Sequence, residues 1–119
     1  MLDLEDAGRI KARVKRPNPA TGQRGDFVDG NGQQWDIKAP KNRDTIRREM
    51  AANQQRLPPP NVNIRGEHVL QADLVKIGRD IASGEKVVID LRGLSASEQL
   101  TLKNAVTQAG WDIHVLYYP

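Results

Sequence analysis

The chain has 119 residues, 38% apolar and 28% charged, with 18 Lys and Arg against 15 Asp and Glu for a net charge of +3. That length suits one domain, residues 1–119, and the scarcity of aromatics (two Trp, two Tyr, one Phe) leaves its core to Leu, Ile and Val. The absence of Cys excludes disulfides, thiolate zinc sites and thiol nucleophiles, two His exclude a His-rich metal centre, and no apolar run approaches the ~20 residues that span a bilayer.

In chain order, Met1 to Gly8 is acidic and reads as the end of a helix, carrying Glu5. Ile10 to Lys15 alternates basic and apolar residues, which suits an edge strand with one wet face. Lys11, Arg13, Lys15 and Arg16 gather here, and a second basic group, Lys41, Arg43 and Arg47, follows further on; both are candidate contacts for a polyanionic backbone. Pro17 to Gly25 is a loop.

Gly25 to Pro40 carries the strongest local signal. Two short strand-like runs flank Gly30-Asn31-Gly32, and Pro40 ends the second of them. A three-residue turn closing on a left-handed Gly32 pairs Phe27 with Trp35 on one face. On the other face it sets Asp26 beside Asp36, with Lys38 and Gln34 two residues to either side of Asp36. A two-residue turn would pair Phe27 with Asp36 and mix core with charge. Asp29 and Asn31 read as turn residues.

Lys41 to Arg56 reads as a polar, basic helix, and Pro58-Pro59-Pro60 forces the next stretch to be extended. Glu67 to Ser83 is amphipathic, with Val69, Leu70, Leu74, Ile77 and Ile81 on one face and Gly84 as its stop. Val87-Val88-Ile89 reads as a buried strand. Ser95 and Glu98 form a capping box for a helix ending at Gly110. Trp111 is expected to cover the core edge, and Ile113 to Tyr118 forms the last strand. The fold class that follows is α/β: a small mixed sheet with a hairpin and flanking helices, whose second half is a parallel strand-helix-strand crossover.

Two carboxylates in register, with Cβ atoms about 5 Å apart, repel unless a cation lies between them. Mg²⁺ or Mn²⁺ suits such hard oxygen donors, with Zn²⁺ as the alternative, and a metal there would polarise a phosphodiester. Lys38 would orient the attacking water or steady the charge developing on phosphate. Asp26, Asp36 and Lys38, assisted by Gln34 and Glu5, thus make a candidate hydrolytic set, with Asp26 and Asp36 as the metal ligands. The plain alternative is a surface ion pair on an exposed sheet face.

Gly25-Asp26 followed by Asp36-Ile37-Lys38 resembles the motif of the PD-(D/E)xK nuclease superfamily, with Gly25 where the proline stands. Asp26 to Pro40, together with the closing strand-helix-strand from Val87 to Ser95 through Trp111 to Pro119, is similar to the C-terminal toxin domains of contact-dependent growth inhibition and related polymorphic toxin systems. The resemblance implies a restriction-endonuclease-like core and metal-dependent cleavage of nucleic acid, transfer RNA ahead of DNA. It also implies carriage at the cell surface within a larger exported protein, action in the cytoplasm of a target bacterium, and a cognate immunity protein. Charge complementarity to a basic chain makes that partner acidic.

Overall fold

The computed structural model describes residues 25–62 and 64–119. In chain order these form β1 (Phe27–Val28), β2 (Gln34–Lys38), α1 (Arg43–Ala52), α2 (Leu70–Ala82), β3 (Lys86–Asp90), α3 (Ala96–Gln108), a 3₁₀ turn (Asp112–His114) and β4 (Val115–Tyr118). The sheet order is β1-β2-β3-β4. Only the first pair is antiparallel; β2, β3 and β4 run parallel through helical crossovers. The fold is therefore mixed α/β with a small mixed sheet.

The hairpin has the expected register, Phe27 opposite Trp35 and Val28 opposite Gln34. Gly32 has φ +81° and its N–H donates to Asp29 O. Asp29 does more than turn the chain. It is buried, its Oδ1 accepts from Asn31 N and Gln33 N at 2.9 and 3.0 Å, and its Oδ2 accepts from the Trp35 indole at 3.0 Å. Gly25 has φ +83°, and a Cβ on it would lie 2.4 Å from Trp35 O. A proline, fixed near φ −65°, has no place at this position.

β3 is central and its Val87, Val88 and Ile89 are fully buried, as a strand covered on both faces requires. Val87, Ile89 and Val115 pack with Ile77 of α2 and with Leu102 and Val106 of α3. Val88 packs on the opposite face with Phe27 and Trp35, whose rings stack at 6.0 Å. Trp111 lies against the helical core, and a Cβ on Gly78 would meet its ring at 2.9 Å. The Ser95–Glu98 capping box is formed.

Three boundaries differ from the sequence expectation. α1 is confined to Arg43–Ala52. α2 begins at Leu70, because Glu67 makes a bridge to Lys41 and the His68 N–H donates to Lys41 O; Val69 is left exposed at the helix cap rather than in the core. Residues 112–114 take a 3₁₀ turn before β4 starts at Val115.

Candidate active site

Alternation along β2 puts Trp35 and Ile37 on one sheet face and Gln34, Asp36 and Lys38 on the other. Parallel pairing aligns Asp36 with Val87 and Lys38 with Ile89, both in the helix-covered core. The polar face of β2 thus borders α2 rather than open solvent. This is where Asp80 enters. It lies in the last turns of α2, one residue before Ile81 and three after Ile77, and so faces the sheet.

The Lys38 ammonium lies 2.5 Å from Asp36 Oδ2 and 2.8 Å from Asp80 Oδ2. The buried Asp80 oxygen takes this contact as an ion pair and makes no aligned hydrogen bond. Asp26 is tied in from β1's end: its N–H donates to Trp35 O at 2.7 Å, and its Oδ2 accepts from Ile37 N at 2.7 Å. Asp36 stands within hydrogen-bonding reach of both Asp80 and Asp26. Three carboxyls and one ammonium therefore meet at one edge of the sheet.

The electrostatics follow from that crowding. Burial, then the hydrogen bonds to Asp80 and Asp26, push Asp36 up to about 7, against the pull of Lys38. Burial alone would raise Asp80 as well, but hydrogen bonds from Asp36 and Lys38 outweigh it and hold Asp80 below the usual carboxylate range. Burial likewise works against the Lys38 charge, and Asp36 and Asp80 together more than restore it, so its pKa is raised. Asp36 is the member that holds and releases a proton near neutrality. Beside the cluster, Lys38 also lines a cavity of about 230 Å³ shared with Lys76 and Asp73 of α2.

Asp26, Asp36 and Lys38 are brought together, but Asp26 lies just before β1 and reaches Asp36 through its side chain rather than as the ladder partner expected from the hairpin register; Gln34 shares the β2 face of Asp36 and Lys38. Glu5, Lys11, Arg13, Lys15 and Arg16 lie outside the described residues. The second basic group is engaged within the chain. Lys41 pairs with Glu49 at 3.0 Å, Arg43 reaches Glu67, Pro60 O and Val62 O, and Arg47 donates to Pro58 O. These arginines fasten the proline segment to α1. Two other cations border the cluster, Lys76 on the wall of the cavity that Lys38 lines and Arg79 acting on Asp80.

No family model matches the chain. No curated protein or solved structure matches it either. The site therefore rests on its own geometry. Asp80 is the residue that sequence reasoning missed, and a signal for it exists: a carboxylate set between Ile77 and Ile81 on the apolar face of an amphipathic helix needs a buried partner.

Proposed function

We propose that the chain is a metal-dependent nuclease that hydrolyses phosphodiester bonds, with Asp26, Asp36 and Lys38 as its working residues. The observation that carries this reading is the cluster itself: Asp36 and Lys38 share one face of β2, Asp26 reaches Asp36 from just before β1, and Asp80 of α2 joins them. Among the described residues no three acidic or imidazole side chains converge as ligands of one ion. A magnesium site does not require that, because Mg²⁺ is commonly held by one or two carboxylates plus substrate phosphate. Asp26 and Asp36 fit that pattern as hard oxygen donors, and the lack of a nearby His or Cys disfavours zinc. A bound divalent cation supplies Lewis-acid polarisation of the phosphodiester.

The remaining steps belong to the chain. As a ligand Asp36 would act in its ionised form, which leaves Lys38 to orient the attacking water. Lys38, steadied by Asp80, presents an ammonium that offsets charge developing on the phosphate oxygens. Lys76 and Arg79 hold the backbone on either side. In this reading the core is a restriction-endonuclease-like one, and transfer RNA is preferred to DNA on resemblance alone. The same resemblance supports a toxin role: carriage within a larger exported protein, action in a target bacterium's cytoplasm, and neutralisation by an acidic immunity protein.

One observation favours a second reading. The Lys38 ammonium already occupies the space between Asp36 and Asp80, an arrangement that also serves metal-free acid–base cleavage of RNA. Incubation of the chain with total bacterial RNA and plasmid DNA, with Mg²⁺ or with chelator, separates the two. Cleavage that needs both metal and Asp36 supports the first reading. Chelator-resistant cleavage of RNA alone supports the second. If both polymers stay intact while the chain still binds them, it is a non-catalytic binding module.

A further inference from the structure

A second polar cavity, of about 420 Å³, opens where the start of α1 meets the start of α3. Its volume falls within the roughly 300–1,000 Å³ typical of small-ligand sites. His68 forms part of its wall with a side chain only 8% exposed. Asp73 accepts a hydrogen bond from His68 Nδ1, and the His68 N–H donates to Lys41 O at 2.7 Å. The first restraint fixes the ring and the second the backbone that carries it. Nε2 has no hydrogen-bond partner among the described residues, so the imidazole is oriented without its second nitrogen being used.

The rest of the wall says what would use it. Arg43 is neutralised by Glu67 at 3.2 Å, and Glu98 and Asp44 add negative charge. A phosphate is disfavoured there. Asp44 has no ion-pair partner among the described residues, and the exposed Ser97 hydroxyl meets only Ser95 Oγ, at 3.2 Å. A free carboxylate, a hydroxyl that can donate or accept, and one imidazole nitrogen make a hydrogen-bonding set of net negative charge, suited to an uncharged ligand that donates. A carboxylate accepts from the exocyclic amino group of a base, which uracil lacks.

We propose that this cavity is a nucleobase subsite, in which His68, Ser97 and Asp44 bind an amino-bearing base of the substrate strand at a distance from the scissile bond. The choice of a nucleic acid ligand rests on the nuclease reading. The separation follows from α2: Asp73, which holds His68, lies seven residues from Asp80, about 10 Å along the helix. Asp73 also lines the cavity that contains Lys38, so the two places border one continuous path along α2.

The test is titration of the ¹⁵N-labelled chain with adenosine, cytidine, guanosine and uridine, without metal, followed by amide chemical shifts. Nucleosides carry no scissile phosphate, so binding is read independently of cleavage, and an inactive enzyme that still binds them would fail only the nuclease reading. We expect shifts confined to Asn42–Asp44, Glu67–His68 and Ser95–Glu98, tighter for the three amino-bearing nucleosides than for uridine. Each of His68→Gln and Ser97→Ala should weaken binding about tenfold, the worth of one hydrogen bond of ~1.4 kcal/mol. Ser97→Ala removes an exposed hydroxyl and leaves the fold intact should His68→Gln disturb it. Absence of shifts with all four nucleosides, or unchanged affinity in folded variants, would overturn the proposal and leave His68–Asp73 as a structural pair.

Discussion

At Asp36 the fold holds a proton that the unfolded chain would release. Its pKa is 3.8 as a free side chain and about 7 in the structure. A raised pKa means that the native state binds more protons between those values, so the contribution of Asp36 to stability is fully present below about 4 and is lost as pH rises to about 7. Neither partner obscures this window. Asp80 is lowered and acts below it, and Lys38 is raised and acts far above it. Thermal melts from pH 4 to pH 8 should show a falling midpoint that Asp36→Asn flattens. A slope identical in the variant would mean that Asp36 does not carry the proton. Activity makes a separate prediction: Asp36→Ala and Lys38→Ala should each reduce cleavage about 10²–10⁴-fold, the usual share of a proton-transferring or charge-stabilising group. Asp80→Asn should cost less, because it acts by holding Lys38, and a loss as large as that of Lys38→Ala would place Asp80 among the reacting groups.

At the level of elements, the hairpin shows how far local sequence reaches. Turn chemistry and alternation together admit one register, and the structure has it as far as Phe27 and Trp35; beyond them Asp26 leaves the ladder and nears Asp36 through its side chain. The tight turn before Asp26 was less visible. Gly25 is needed because any Cβ would collide with Trp35 O, a contact ten positions further along the chain. Gly25→Pro, the residue that the resembled motif carries there, should therefore destabilise the hairpin rather than improve it; denaturant titration reads this directly, and a gain in stability would count against the register. Asp80 was hidden for a different reason. Its partner Lys38 is 42 positions earlier, and only the packing of α2 on β3 brings them together. The helix ends, by contrast, were readable from Ser95, Glu98 and Gly110, since capping depends on neighbours in sequence. Ser95→Ala should lower stability by about 1 kcal/mol, the usual worth of an N-cap.

For the molecule as a whole, β3 is the shared wall of two cores. Val87 and Ile89 serve the helical side and Val88 the aromatic side. Damage on either side should weaken one common unfolding transition. Ile89→Ala is expected to cost about 2–5 kcal/mol. Its loss should be reported equally by circular dichroism and by aromatic fluorescence; two separated transitions would show that the aromatic layer folds independently. The mixed α/β sheet with flanking helices was recoverable because alternating strand and helix patterns with short connections leave few topologies. The position of the basic surface was not, because the arginines of α1 are consumed by backbone carbonyls of the proline segment, a use that composition does not reveal.

The bond from the Trp35 indole to the buried Asp29 carboxylate has an optical consequence. Trp35 sits one residue from Asp36, with its ring in an apolar stack and its nitrogen on a negative charge. Its emission colour should therefore track the closing of the turn and the ionisation next door. With Trp111 replaced by Phe, the protein would carry a single intrinsic lamp beside its own acidic cluster, by which titration or cation loading could be watched without any added label.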